Sequence, residues 1–388
     1  MTAAPARGRW RRPIRLMLLS TLGLAAACAL LNYAVNPIFL YRDGASVLDS
    51  GTRLHFAAHA RTAKPMIIAT RQPATLVLGS SRAELAFDPD HALLAPGGYN
   101  AALSGGTLAE AGQLLRHALR VSPPRRVLLV VNAYGDFHLR ARGGLQRVEA
   151  WPEAMPWRLW HVLRGGVLLA SPQLAWRSLQ AIAAPGEYRG AGRRFAPDGQ
   201  RGPEWAEHGL RRFGHYGLFR ATLVHLFRHP AVDGVLEGNR ALLASLVAEI
   251  PAGTELLLVA EPTHAVVYAA GEDRDRVYDR TTAGLQAMAD LVRPGVAAWD
   301  CTGNTPLNAE AVPAKGDKRA RMHWWLDASH YSPAYGTAML DQFSRGDRSG
   351  PCRRLGSRQE IAASRARAKP AVIRAGRTIL QALGREIP

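Results

Sequence analysis

Short, strongly apolar runs that alternate with stretches of helical periodicity constrain the fold of this chain more than any other feature. Apolar runs begin near residues 75, 127, 255 and 296, and each is short enough for a buried strand. Helical spacing follows at residues 107–120, 241–250, 274–292 and 333–343. Strands that alternate with helices in this way predict an α/β chain built on a parallel sheet.

The N-terminus has the pattern of an export signal. An arginine cluster, RGRWRRPIR, precedes an uncharged run from Leu16 to Val35. About 20 apolar residues span a bilayer as a helix, and the flanking arginines stay cytoplasmic. We therefore predict an uncleaved anchor that places the rest of the chain outside. A cleaved signal peptide, which has a shorter apolar core, and lipid attachment at Cys28 after AAA are the alternatives.

The chain divides into five segments by composition. They are a basic cytoplasmic segment at 1–15, a transmembrane signal anchor at 16–38, a connector at 39–72, an α/β domain at 73–345 and a basic tail at 346–388. Residues of about 140–235 interrupt the α/β pattern with tryptophans, arginines and glycines, which predicts a mainly helical insertion. Its tryptophans are expected in the core of the insertion, with a substrate groove as the sharper alternative. The tail is expected to be solvated or to form an amphipathic helix, interrupted at Pro370, on an anionic surface.

Charge and cysteine content restrict the partners without selecting one. The 388 residues carry a formal net charge of +18, which favours nucleic acid, anionic lipid or acidic polysaccharide. Export argues against nucleic acid. Cys301 and Cys352 either pair in an oxidising compartment or remain separate thiols. The sequence has no CxxC or His/Cys cluster, so no metal site and no cofactor are expected.

Three residue types needed for acyl transfer occur in suitable contexts. Ser80 and Ser81 follow the first strand and precede a helix, where backbone N–H groups and the helix dipole favour negative charge. Asp327 and His330 lie three residues apart in LDASHYSP, so one local turn can hold the carboxylate against the imidazole. A serine nucleophile, a histidine base and an orienting aspartate would form a catalytic triad in the chain order Ser…Asp…His.

LVLGSSR, NAALSGGT and DASHY together resemble the SGNH/GDSL hydrolase superfamily. They are most similar to its bacterial membrane-anchored branch, whose members D-alanylate lipoteichoic acid or acetylate alginate. The resemblance implies a flavodoxin-like three-layer αβα sandwich over residues 73–345. It also implies Ser81, rather than Ser80, as nucleophile, and Asp327 and His330 as its partners. The N–H groups of Ser81 and Gly105 would form the oxyanion hole.

One sequence block departs from the family pattern. The third family motif is Gly-x-Asn-Asp, whereas this chain has VVNAYGD after its second predicted strand. Asn132 is the matching candidate for a further oxyanion donor. Loss of such a donor costs about 2.7–4 kcal/mol of transition-state stabilisation. Arg82, next to the nucleophile, is expected either to bind a substrate anion or to form a structural salt bridge.

The sequence thus predicts an extracytoplasmic serine esterase or O-acyltransferase. The expected substrate is an acyl group, most simply acetyl, on an envelope or exported polysaccharide, without cofactor or metal. The expected location is the bacterial inner membrane, with one span and the catalytic domain in the periplasm or outside the cell. The expected partners are the acylated glycan, the membrane and a membrane-bound O-acyltransferase. The alternative is an inactive scaffold that binds anionic glycan or such an acyltransferase.

Overall fold

Six strands form one sheet in the part of the chain that this computed structural model describes, which comprises residues 11–38, 40, 56–138, 148, 155–183, 196, 198–202, 204–228, 235–303, 305–347 and 349–384. The strands are β1 Thr75–Leu78, β2 Gly98–Asn100, β3 Arg126–Val131, β4 Glu255–Ala260, β5 Val296–Asp300 and β6 Arg353–Arg354. Their order across the sheet is β2-β1-β3-β4-β5-β6. Only the β5–β6 pair is antiparallel among these pairings. The predicted α/β class and mostly parallel sheet are confirmed.

The helices of the described residues connect and cover these strands. They are α1 Arg11–Val35, α2 Phe56–Arg71, α3 Ser81–Ala86, α4 Leu108–Val121, α5 Gly135–His138, α6 Trp157–Leu169, α7 Pro172–Ala183, α8 Glu204–Leu226, α9 Val235–Ala248, α10 Ala265–Asp275, α11 Val277–Ala289, α12 Pro333–Arg345 and α13 Arg358–Ala382. A short 3-10 helix lies at Pro306–Ala309.

Successive residues of the central strands face two different hydrophobic cores. In β3, Val127 and Leu129 join a core shared with α2, α4 and α9, whereas Leu128 and Val130 join a core shared with α3, α10, α12 and α13. All four side chains are almost completely buried. Each fully buried side chain of this size contributes about 1.5–3 kcal/mol. A strand that is buried on both faces needs apolar residues at every position. The central strands therefore appear in the sequence as unbroken apolar runs.

Helix α1 differs from the other helices in its exposed apolar surface. It is long and apolar enough to cross a membrane, by length and composition. Most of its side chains are exposed, and only Cys28, Asn32 and Val35 near its C-terminal end are buried. These residues lie where α6 and α7 pack against it. The predicted membrane-spanning segment therefore corresponds to a single continuous helix.

Two segments expected to lie outside the α/β domain belong to it. Helix α2, within the predicted connector, packs against α4 and contributes to the core. Helix α13, within the predicted basic tail, packs along α10 and α11. Its Arg365 is buried, lies 3.8 Å from the ring centroid of Tyr278 and donates to Thr302 Oγ1 over 3.0 Å. Helix α13 continues through Pro370 without interruption.

The predicted insertion is helical where the structure describes it, in α6, α7 and α8. Trp160 lies in the core with its ring centroid 5.7 Å from that of His117, whereas Trp176 is exposed. Trp151, the side chain of Trp205 and most of the glycine-rich segment 186–202 lie outside the described residues.

Cys301 and Cys352 form a disulfide, with their Cα atoms 4.2 Å apart. Cys301 directly follows β5, and Cys352 directly precedes β6. The bond therefore fastens the antiparallel edge strand to the parallel sheet. Of the two alternatives left by the sequence, the paired form is the one present.

Candidate active site

The Gly-Ser-Ser turn, residues 79–81, connects β1 to α3 at the carboxyl edge of the sheet. Gly79 has φ +153°, and a Cβ atom there would lie 3.0 Å from the carbonyl oxygen of Val130 on the neighbouring strand. Only glycine fits this conformation without a clash. The sharp turn lets α3 begin at once, so its first residue stands directly above the strand ends.

The two serines of this turn have different roles. Ser80 is the N-cap of α3, and its Oγ accepts from the N–H of Arg82 over 3.4 Å. Ser81 is the first helical residue, and its Oγ lies 2.9 Å from Nε2 of His330. The structure therefore brings Ser81, and not Ser80, to the histidine.

The Asp-x-x-His turn, residues 327–330, lies between a buried aromatic cluster and α12. Its backbone closes on itself through a bond from the N–H of Leu326 to the carbonyl oxygen of His330 over 2.8 Å. Asp327 Oδ2 lies 2.9 Å from His330 Nδ1, while Asp327 Oδ1 accepts from the N–H groups of Ser329 and His330 over 2.7 and 2.8 Å. Ser81, His330 and Asp327 thus form one continuous hydrogen-bonded chain.

The environment of Asp327 favours its ionised form. Burial opposes ionisation, but the interaction with His330 and the two backbone N–H donors outweigh it and hold the pKa of the Asp327 carboxyl below its ordinary value. A carboxylate fixed on Nδ1 of His330 selects the tautomer whose Nε2 accepts a proton. His330 can therefore serve as base toward Ser81 Oγ.

The Ser-Gly-Gly turn, residues 104–106, lies beside the serine and is fixed to the Gly-Ser-Ser turn. The N–H of Leu103 donates to the carbonyl oxygen of Gly79 over 3.0 Å. Gly105 has φ +62°, a left-handed conformation that glycine adopts at low cost. Gly105 and Ser81 line the same cavity. The use of their N–H groups as the two oxyanion donors stays a prediction.

Asn132, the third predicted donor, lines the same cavity but has other partners. Its Oδ1 accepts from the N–H groups of Tyr134 and Gly135 over 3.1 and 2.6 Å. A hydrogen bond from its side chain also reaches Glu261. The amide is therefore oriented by a turn and a carboxylate, and its use as an oxyanion donor stays a prediction.

Arg82, the candidate for anion binding, forms a structural ion pair. Its Nη1 contacts Glu261 Oε1, and its Nε and Nη2 donate to Ser329 Oγ over 3.0 and 2.8 Å. Burial raises the pKa of Glu261, and the Arg82 charge opposes this shift. The guanidinium thereby links the helix of Ser81 to the turn of His330.

Asp136, which no spaced motif of the sequence indicates, is a second acid in the cavity wall. Its Oδ2 accepts from the N–H of Asn132 over 2.8 Å. Burial and the neighbouring charge of Glu261 raise its pKa to about 7. Glu261 and Asp136 were missed because neither belongs to a spaced motif. The available signal was that each follows a central strand closely, where parallel sheets place ligand-binding residues.

The cavity over these residues has a volume of about 560 Å³. The triad and the Ser-Gly-Gly turn line one part of the cavity wall, and α8 from the insertion lines another. The α8 residues in this wall mix apolar and polar side chains, namely Leu218, Ala221, Thr222, His225 and Leu226. A cleft of this size accommodates a small acyl group together with a sugar ring.

A fully buried ion pair supports the site from behind. Lys64 on α2 lies 3.0 Å from Glu84 Oε1 on α3, and both side chains have no solvent exposure. Lys64 also donates to the carbonyl oxygen of Ala102, and Glu84 Oε2 accepts from Ser104 Oγ over 2.5 Å. Burial lowers the pKa of Lys64 despite the attraction of Glu84. This pair connects the helix of Ser81, the Ser-Gly-Gly turn and α2.

Two other polar residues near strand ends are structural. His264 is the N-cap of α10, and its Nε2 lies 3.0 Å from the carbonyl oxygen of Glu310. Its complete burial lowers its pKa to about 4, so it is neutral. Asp300 accepts from the N–H and Oγ1 of Thr302 over 2.9 and 2.6 Å.

One group of acidic residues has the spacing of metal ligands among the described residues. Carboxylate oxygens of Asp88, Asp90 and Asp198 lie within 4.8 Å of one another. None of the three lines the cavity of the triad.

Comparison with known proteins adds no relative to this geometry. No protein-family model matches the chain, and neither a curated protein nor a solved structure was found to be similar to it.

Proposed function

We propose that this protein is a membrane-anchored serine esterase or O-acyltransferase of the SGNH type, acting on acyl groups of an envelope or exported polysaccharide. The observation that carries the proposal is the chain of 2.9 Å contacts from Ser81 through His330 to Asp327 in an open cavity. The strand order 2-1-3-4-5 is that of flavodoxin-like sheets, which supports the fold implied by the motifs.

The reaction follows from the positions of the donors and acceptors. Ser81 Oγ attacks the ester carbonyl as its proton passes to Nε2 of His330, and Asp327 stabilises the resulting imidazolium. The oxyanion accepts from the N–H groups of Ser81 and Gly105, and from Asn132 if its amide turns away from Glu261. The C–O bond breaks, and the leaving alcohol takes the proton from His330. Water or a sugar hydroxyl then attacks the acyl-enzyme, with His330 again as base.

Outside the cavity, two features support an extracytoplasmic location. Arg11, Arg12 and Arg15 lie at the start of α1, before its apolar run, and such residues remain cytoplasmic. The Cys301–Cys352 disulfide persists in an oxidising compartment. We therefore place the chain in a bacterial inner membrane, with one span and the α/β domain on the outer side.

The test uses the full chain in detergent with p-nitrophenyl acetate as substrate. Ser81→Ala is expected to lower kcat/KM by about 10³-fold or more, because the nucleophile is lost. The matched control is Ser80→Ala, which removes a helix cap and a neighbouring hydroxyl of the cavity lining but not the contact with His330. It is expected to keep most of the activity while lowering stability by about 0.5–2 kcal/mol. Equal rates for wild type and Ser81→Ala would contradict the proposal.

A second candidate function is a scaffold that binds anionic glycan or a membrane acyltransferase without turnover. The observation that favours it is the engagement of Asn132 with Tyr134, Gly135 and Glu261 instead of an open oxyanion site. Retention on an immobilised acidic polysaccharide that survives Ser81→Ala and falls steeply with salt would support this function. Catalytic turnover lost in Ser81→Ala would exclude it.

A further inference from the structure

Outside α1, the exposed apolar surface of the described residues is concentrated on α6 and α7, two consecutive helices called here the α6–α7 hairpin, residues 157–183. Outside α1, large apolar side chains exposed elsewhere in the described part are Phe213, Val224 and Val292. Those on the hairpin are Leu159, Val162, Leu163, Val167, Trp176, Leu179 and Ile182. They recur every three or four residues, so each helix presents one continuous apolar face to the outside.

The opposite side of the hairpin is fixed to the α/β domain. Trp160 and Leu168 of α6 are buried in the core, and Leu174 of α7 joins them. Thr70 Oγ1, near the end of α2, lies 3.4 Å from His161 Nε2. A different face of the same two helices thus already packs against the core. The exposed apolar face is therefore not needed for packing against the α/β domain.

The hairpin also packs against α1, inside its apolar span. Asn32 is buried there, and its Nδ2 donates to the carbonyl oxygens of Leu169 and Ser171 over 2.7 and 3.1 Å. Its Oδ1 accepts from Ser178 Oγ over 2.8 Å. A polar side chain in hydrocarbon needs such partners, since lipid offers none. The hairpin thus provides hydrogen-bond partners for the side chain of Asn32, the one asparagine in the apolar run.

The depth of this contact follows from helix geometry. The apolar run Leu16–Val35 is about 30 Å long at 1.5 Å per residue, the thickness of the hydrocarbon core of a bilayer. The buried positions Cys28, Asn32 and Val35 cover about the last 10 Å of it. The medium that surrounds the exposed residues of α1 over these last 10 Å therefore also contacts the hairpin beside it.

We infer that the α6–α7 hairpin is embedded in the outer leaflet beside α1, with its exposed apolar face in contact with lipid acyl chains. The inference rests on the membrane anchorage in the proposed function. The hairpin contains no acidic residue and three arginines, Arg158, Arg164 and Arg177, a composition that suits an anionic membrane surface. Continuity with the span of α1 selects lipid as the occupant over a second copy of the chain.

Depth-dependent fluorescence quenching of the full chain in phosphatidylcholine–phosphatidylglycerol vesicles tests this inference. In a Cys28→Ala background, an environment-sensitive fluorophore is attached at Leu163→Cys or Leu179→Cys on the hairpin. Leu24→Cys on α1 is the reference inside the membrane, and the exposed Val292→Cys is the reference in water. Labels at 163 and 179 are expected to be quenched at least two-fold by acyl-chain spin-labelled lipid, as at 24, and to resist aqueous iodide.

Three other outcomes would overturn the inference, each in a recognisable way. Labels at 163 and 179 that behave like the label at 292 would place the hairpin in water. Protection from both quenchers would indicate a second copy of the chain as the occupant. A label at 24 that lipid does not quench would refute the anchorage itself. Esterase activity, measured on the same preparations, reports separately on the catalytic part of the proposed function.

Discussion

The carboxyl groups of Asp327 and Asp136 lie in the same region, but their pKa values are shifted in opposite directions. Asp327 receives two backbone N–H bonds and the imidazole of His330, so the pKa of its carboxyl is lowered. Asp136 faces the carboxylate of Glu261, and burial together with this charge raises its pKa to about 7. The first acid is therefore an anion that orients a base, and the second changes its charge near neutral pH.

The titration of Asp136 predicts a pH-dependent stability. Its folded-state pKa lies above its unfolded value, so between about pH 4 and 7 the unfolded state binds fewer protons and stability falls as pH rises. A shift of this size is worth at most roughly 4 kcal/mol, and access of cavity water reduces the expected effect to about 1–2 kcal/mol. Asp136→Asn lacks this titration, so its free energy of unfolding should not fall in the same way. The difference in free energy of unfolding between Asp136→Asn and wild type should therefore increase by about 1–2 kcal/mol, in favour of Asp136→Asn, from pH 5 to pH 8.

Urea unfolding in detergent at the two pH values measures this difference. Glu261 remains in both proteins but is coupled to Asp136, so the comparison measures the titration of the Asp136–Glu261 pair. A stability difference between Asp136→Asn and wild type that stays constant from pH 5 to pH 8 would contradict the assignment.

The sequence predicts the residues of the site better than their partners. The choice of Ser81 over Ser80 depended on family resemblance, because two adjacent serines are chemically identical until the backbone makes one a helix cap. The Asp327–His330 contact follows from a local turn, and local geometry is readable from spacing. The Arg82–Glu261 pair joins residues 179 positions apart, and no local pattern specifies such a contact.

At the scale of elements, α2 acts as the support of the site. Through Lys64 it holds Glu84 on α3 and the carbonyl oxygen of Ala102 before the Ser-Gly-Gly turn. Arg61, one turn earlier, donates to the carbonyl oxygen of Ser104 over 3.3 Å. Ser81 and the Ser-Gly-Gly turn are thus positioned by a helix that contributes no residue to the cavity lining.

Removal of one member of the buried pair should therefore be costly. Lys64→Met removes the nearer cation from buried Glu84, whose Oε2 keeps Arg201 Nη1 at 3.9 Å, and is expected to lower the free energy of unfolding by up to about 3–5 kcal/mol. The double variant Lys64→Met/Glu84→Gln should recover part of this loss, because the buried carboxylate is removed while buried Arg201 keeps its hydrogen bond to Ser104 Oγ. Lys369→Met, which removes a partly exposed lysine from Glu272 and Asp279, should cost about 0–1 kcal/mol.

Urea unfolding of the four proteins decides this point. If Lys64→Met is no more destabilising than Lys369→Met, the buried pair does not support the site as described. If the double variant is as unstable as Lys64→Met alone, lost contacts rather than an unpaired charge account for the effect.

Elements with strong periodicity are predictable, and elements fixed by tertiary contacts are not. Strands β3 and β4 and helices α4 and α12 appear close to their expected bounds, since their apolar patterns are pronounced. The single helix expected at 274–292 begins instead at Val277, and α10 precedes it. Helix α10 is capped by His264, an unusual N-cap residue, and by Arg276 in a left-handed conformation at its C-terminus. Neither boundary has a signal in sequence propensity.

At the scale of the whole molecule, the disulfide fastens the C-terminal part to the sheet. Cys301 and Cys352 are 51 residues apart and enclose α12. Cross-linking a loop of this length stabilises a fold by about 2–4 kcal/mol through the unfolded state. Cys301→Ala/Cys352→Ala should lose this amount, and reduction of wild type should give the same loss.

The same urea titration with and without reductant measures the effect. The double variant serves as control, since reductant should leave its unfolding midpoint unchanged. Neither cysteine lines the cavity, so esterase activity of the folded variant at 25 °C is expected to match wild type. Unchanged stability of wild type under reducing conditions would show that the bond does not constrain the unfolded chain.

Helix α2 also sets the separation between the hairpin and the Ser-Gly-Gly turn beside Ser81. It touches the hairpin at Thr70 and the Ser-Gly-Gly turn at Arg61, and nine residues of helix measure about 14 Å. With the hairpin embedded, α2 is a rigid spacer and not a tether on which the domain swings. Under the proposed function, the site would then act at one fixed height above the bilayer. The glycan proposed as substrate would have to pass close to the membrane while it is being made, and polymer that has moved away would be out of reach.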